Sequence, residues 1–182
     1  MHKTRFILAA MVLSSVVVLG TAVAQGMASV NLGVTIDGQD VEGKVTIKDV
    51  NGTVVAQGDA GTDLAVPEGT HKVLVECTAL IDHPSYTNPG FQFRGGQNYA
   101  CKKAFSASTI TLLVSKGGRR VQGDVILQRQ GGGDPVAKVR SGTQFRISAG
   151  RYQGMFKQGR NEWEIKGLQF PEGAIESIPV NF

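Results

Sequence analysis

Only two cysteines occur, Cys77 and Cys101, with no C-x-x-C pair, so the common zinc and thioredoxin-like motifs are excluded. Of three histidines, only His71 and His83 lie beyond the N-terminal apolar run. There is no G-x-S-x-G, and no Ser or Cys is spaced with a His and an acid as a nucleophilic enzyme would need. The expectation is a non-enzymatic protein without cofactor or metal. Outside the N-terminal run no segment carries a 3.6-residue apolar stripe, which argues against amphipathic helices. No second apolar run approaches the roughly 20 residues of a spanning helix.

The chain opens on an address. Lys3 and Arg5 precede an apolar run from Phe6 to Gly20, broken only by Ser14 and Ser15, and Ala22-Val23-Ala24 is a small-x-small cleavage site. Residues 1–24 therefore read as a signal peptide, with the mature chain starting at Gln25. No cysteine stands directly after the site, where Gln25 lies, which argues against a lipid anchor. The protein is expected to be exported, periplasmic or extracellular, with no membrane span after cleavage and no nucleic-acid partner. In an oxidising compartment two lone cysteines pair, and a Cys77–Cys101 disulfide would stabilise the fold by about 3 kcal/mol. A metal or a reactive thiol is the alternative, without supporting neighbours.

Glycine is abundant, at 24 residues, and Val and Thr recur, a composition of short strands and turns. Val30, Leu32, Val34 and Ile36 alternate with Asn31, Gly33 and Thr35, the period of a half-buried strand. Val41, Val45 and Ile47 mark a second strand. Asn51-Gly52 marks a hairpin, since both residues accept positive φ. Val66-Pro67-Glu68-Gly69 is a tight turn into Thr70–Glu76.

The same order then returns. Val121–Leu127 matches Val41–Ile47 at an offset of 80. Past a Gly131-Gly132-Gly133 hairpin, Ala137, Gly142, Phe145, Ile147, Gly150 and Tyr152 match Ala56, Gly61, Leu64, Val66, Gly69 and His71 at 81. This reads as an internal duplication. Two units are predicted, residues 25–112 and 113–182, with no linker. Thr109–Val114 is expected to close the first and run straight into the second. Lys and Arg number 6 against 9 acids in the first unit, and 11 against 6 in the second. The surplus length of unit 1 lies between the cysteines and is read as an aromatic loop, 77–101, bounded by the cystine.

Gly43–Ile47, the Asn-Gly hairpin and Val66–Val75 resemble the PEGA family and the carboxypeptidase regulatory-like domain, over roughly residues 29–76 and 112–157. In both, a turn precedes an aromatic-anchored strand; Tyr152 keeps that position and His71 departs from it. The resemblance implies an all-β fold of two small antiparallel Ig-like or transthyretin-like β-sandwich units in tandem, each seven-stranded with Greek-key features. It also implies a spacer, surface-binding or assembly role.

Three constellations could carry chemistry. Asp82, His83 and His71 could ligate a metal, but their spacing matches no known site. Glu162 and Glu164 flank Trp163, which alternation turns inward. Tyr86, Phe91, Phe93, Arg94, Lys102 and Lys103 combine flat apolar area with positive charge and are the candidate binding residues. Their partner would be an envelope or surface protein, or a cell-surface glycan. The alternative is a structural subunit that self-associates through sheet edges and opposite-charge faces.

Overall fold

The alternating pattern folds into sixteen strands, with no helix among the described residues, 26–182 of the computed structural model. The predicted signal peptide lies outside them. In unit 1 the strands are β1 (Met27–Ile36), β2 (Gln39–Asp40), β3 (Gly43–Lys48), β4 (Val54–Asp59), β5 (Asp63–Pro67), β6 (Gly69–Cys77), β7 (Ser85–Phe93) and β8 (Asn98–Phe105). Unit 2 repeats them as β9 (Ala107–Lys116), β10 (Arg119–Arg120), β11 (Asp124–Arg129), β12 (Ala137–Arg140), β13 (Gln144–Ser148), β14 (Gly150–Gln158), β15 (Asn161–Phe170) and β16 (Ile175–Asn181).

Each unit is a sandwich of two four-stranded sheets. One sheet of unit 1 runs β2-β1-β5 with β8 on the far side of β1, and the other runs β4-β3-β6-β7. Unit 2 has the same order eight strands later: β10-β9-β13 with β16 beside β9, and β12-β11-β14-β15. Pairing is antiparallel except that first and last strands, β1–β8 and β9–β16, run parallel. Each unit thus has seven full strands and one two-residue ladder. The alternating face of β1 (Val30, Leu32, Val34, Ile36) meets Val45, Ile47, Val73 and Val75, and the alternating face of β9 (Ile110, Leu112, Val114) meets Val125, Leu127 and Phe156. Each such burial contributes about 1.5–3 kcal/mol.

The duplication extends to individual hydrogen bonds. Val41 N donates to Val34 O and Val121 N to Val114 O, both at 3.0 Å, while Gly61 N donates to Leu32 O and Gly142 N to Leu112 O, both at 2.8 Å. Gly43 and Gly123 are equivalent, and both must be glycine: a Cβ there would sit 2.6 Å from Glu76 O and 2.3 Å from Lys157 O. The aromatic anchor is also shared. His71 Nε2 donates to Pro67 O and Tyr152 Oη to Ser148 O, each four residues back and each at 2.9 Å. His71 therefore replaces the tyrosine's hydrogen bond with a shorter side chain.

Four expectations change. First, the unit boundary falls at Ser106, not 112/113, because all of β9 pairs within unit 2 and β8 closes unit 1. Second, the aromatic loop 77–101 is largely strand. Its alternation is broken by a bulge opposite His71–Val73, which shifts the inward positions from Tyr86 and Asn88 to Phe91 and Phe93 and hides the period. Third, Asn51 keeps a negative φ: only Gly52 is left-handed, and Asp49 Oδ1 closes a wider hairpin by accepting from Asn51 N and Thr53 N.

Fourth, Cys77 and Cys101 are free thiols. Cys77 ends β6 in one sheet, and Cys101 lies on β8 in the other, opposite Leu32. The Cys77 thiol is fully buried against the backbone of Ala79 and Leu80 while Cys101 is exposed, so the two sulfurs lie in different surroundings. Burial pushes the Cys77 thiol pKa up, which makes it inert. Thiol labelling checks this. The native protein should take up one equivalent of iodoacetamide, at Cys101, and a second only after unfolding. No labelling without a reductant would restore the disulfide.

Candidate functional site

The segment between β6 and β7 builds the first feature. Cys77 N donates to Pro84 O at 2.9 Å and Ile81 N to Arg146 O of unit 2 at 3.1 Å, so this short loop lies against the second unit. Leu80 is fully buried, and the Asp82 side chain has no exposed surface. The Asp82 carboxylate accepts from Arg129 Nη2 at 2.7 Å, from Ser148 N at 3.0 Å, and from Ser148 Oγ. Tyr152 Oη lies 3.0 Å from Asp82 Oδ2 and 2.9 Å from Ser148 O, and its single proton serves one at a time. A carboxylate from unit 1 is thus seated among three side chains of unit 2. All of them flank the β13–β14 turn or its neighbour β11. Ala149 N to Ser106 O, at 3.0 Å, adds a second tie at the junction.

This dissolves the proposed metal set. Asp82 is committed to unit 2, His71 is buried in unit 1, and His83 Nδ1 pairs with Glu76 at 3.1 Å. Among the described residues no group of three or more His, Cys, Asp or Glu could hold a metal ion. Glu162 and Glu164 are likewise occupied, by Lys157 at 2.6 Å and Lys166 at 3.1 Å, and Trp163 turns inward against Phe156.

The second feature is a cleft of about 550 Å³ where the two sheets of unit 1 part along β7 and β8. Its floor is Leu32, Val73, Val75 and Phe93, and its rims carry Tyr86, Asn88 and Phe91 from β7 with Tyr99, Cys101, Lys102 and Lys103 from β8. Of the six candidate residues, five line it: Tyr86, Phe91, Phe93, Lys102 and Lys103. Arg94 lies exposed in the turn beyond, where its backbone N donates to Tyr99 Oη at 3.0 Å. One end is closed by an aromatic cluster, with Phe91 4.7 Å from Phe93 and Tyr99 edge-on to both. At the open end Lys103 Nζ sits 4.3 Å over the Tyr86 ring. No carboxylate belongs to the lining. Lys102 pairs with Asp40 at 2.7 Å, and among the described residues Lys103 pairs with none.

Unit 2 shows what this place looks like when filled. Register equates Val75 with Phe156, Tyr86 with Trp163, Asn88 with Ile165, Cys101 with Ile178 and Lys103 with Val180. There Phe156 packs 5.7 Å from Trp163 and 6.0 Å from Phe182, and Ile165 and Val180 are buried. Val75, Asn88 and Cys101 were missing from the candidate set. Comparing the two copies position by position is the signal that finds them.

No family model matches the chain, so the PEGA-like resemblance has no family match behind it, and no curated protein matches. Solved structures do. A minor pilin of Streptococcus agalactiae shares 10% identity over 86% of this chain and 94% of its own, at a TM-score of 0.43. A shaft pilin of Lactobacillus rhamnosus GG shares 9% over 86% and 97%, at 0.36. The Bacillus anthracis TIE protein shares 13% over 86% of this chain at 0.37, and the chain spans 34% of its length. Likeness this distant carries nothing about function. No helix among the described residues is long and apolar enough to cross a membrane.

Two outcomes test the junction. Asp82→Ala leaves Arg129 and the Ser148 and Tyr152 donors facing an empty seat. It should cost about 3 kcal/mol and split a single calorimetric transition into two. An unchanged single transition would show that the units couple elsewhere. Burial, above all, pushes the Tyr152 phenol up to about 12, with the Asp82 charge adding to it. The unfolded chain loses that proton near pH 10. Tyr152 therefore contributes stability that is full below pH 10 and lost as pH rises through about 12. Urea midpoints should fall over that window more steeply in the wild type than in Tyr152→Phe.

Proposed function

We propose that the protein is an exported, non-enzymatic binding module of the cell envelope, recognising a surface partner through the β7–β8 cleft of unit 1. Unit 2 serves as a stiff stem. One observation carries the reading: the same place in the duplicate is packed shut by Phe156, Ile165 and Val180. A fold that closes this edge when given large apolar residues leaves it open where Val75, Asn88 and Lys103 stand. Open apolar surface beside converging polar groups is the usual form of a binding site. No catalytic constellation lines the cleft, and a β-sandwich by itself brings no chemistry.

A second reading rests on the charge division, net −3 in unit 1 and +5 in unit 2. A structural subunit would pair acidic face to basic face and assemble head to tail, and salt would dissolve it. The two readings part on the cleft, which such a subunit does not need.

Transplanting unit 2's residues makes the test. Val75→Phe, Asn88→Ile and Lys103→Val together should fill the cleft and stabilise unit 1 by about 1–2 kcal/mol. The same variant should lose the partner that the wild-type mature protein pulls from the envelope after cross-linking. Retained capture of the partner would overturn the cleft reading, and capture only of further copies of the chain would favour the structural subunit.

A further inference from the structure

We infer that the occupant of the cleft is an extended peptide strand bearing an acidic side chain, supplied by a protein partner rather than a glycan. The inference rests on the cleft reading above and narrows it. The two rims are edge strands. Among the described residues β7 pairs only with β6, and β8 only with β1, so each turns an unpaired row of backbone N–H and C=O groups toward the opening. Such a row is a template for one more strand. β8 has eight residues, a rim of about 26 Å, which suits a segment of roughly six to eight residues. Alternate side chains of an added strand would recur about every 7 Å and point at the apolar floor of Leu32, Val73 and Val75.

Charge sets the sign of the polar contact. The lining holds two lysines and no carboxylate, and Lys102 is committed to Asp40. Lys103 is held only by the Tyr86 ring and is placed to meet an anion entering the open end. The ring geometry argues against a sugar. Sugars need free aromatic faces, whereas Phe91 and Phe93 pack on each other, Tyr99 stands edge-on to both, and Lys103 covers Tyr86.

The test is a displayed library of random nine-residue peptides, flanked by Gly-Ser and panned on the full mature chain. An array of neutral and acidic oligosaccharides is run in parallel. Binders should converge on alternating apolar residues with one Asp or Glu, and lose roughly tenfold or more in affinity on the cleft-filled variant. Methylating alternate amides of a selected peptide should cost a similar factor, because a strand adds through those groups. Lys103→Glu should turn the selected acid into Lys or Arg. If oligosaccharides bind the wild type but not the filled variant and no peptide enriches, the peptide inference falls and the cleft reading stands. If neither peptides nor sugars distinguish wild type from filled variant, both fall. Peptides that keep the acid on Lys103→Glu would overturn the role given to Lys103.

Discussion

The architecture depends on one buried carboxylate. Asp82 leaves unit 1 on the loop between β6 and β7 and is seated inside unit 2, its charge paired by Arg129 and its oxygens hydrogen-bonded by Ser148 and Tyr152. A buried charge is tolerated only when paired and hydrogen-bonded, so the seat must be intact for the loop to stay. The same loop launches β7, one rim of the cleft. Anchoring its far end to unit 2 therefore fixes where that rim begins. The two units are tied here by a contact that neither could make alone.

Duplication turns the molecule into its own control. Both copies share strand order, paired glycines, turn hydrogen bonds and the side-chain anchor to the carbonyl four residues back. What differs is concentrated at the edge between the last two strands. Unit 2 has Phe, Trp, Ile and Val there and closes; unit 1 has Val, Tyr, Asn, Cys and Lys and opens. Leaving apolar floor uncovered costs stability, and in unit 1 that cost falls at a single place.

Much of this was legible in the chain. Strict alternation in β1 and β9, glycine spacing and the offset of 80 to 81 foretold an all-β tandem, because period and turn chemistry are local properties. The bulge after His71 slipped the phase of β7 and disguised two strands as a loop. The cysteines looked like a pair because compartment suggests pairing, while the fold, through long-range contacts, buries one and exposes the other. Asp82 looked like a metal ligand because its partners lie 47 to 70 residues away. Five candidate binding residues do line one cleft, yet the small residues that open it, Val75 and Asn88, carry no signal until set beside Phe156 and Ile165.

Position-resolved photo-cross-linking in the intact envelope tests the central claim most directly. A benzophenone side chain would replace Tyr86 in one variant and its unit 2 counterpart Trp163 in another. The account predicts a discrete cross-linked protein from position 86 and none from 163. Equal cross-linking from both positions, or from neither, would contradict the claim that unit 1 is the opened copy and its cleft the recognition site.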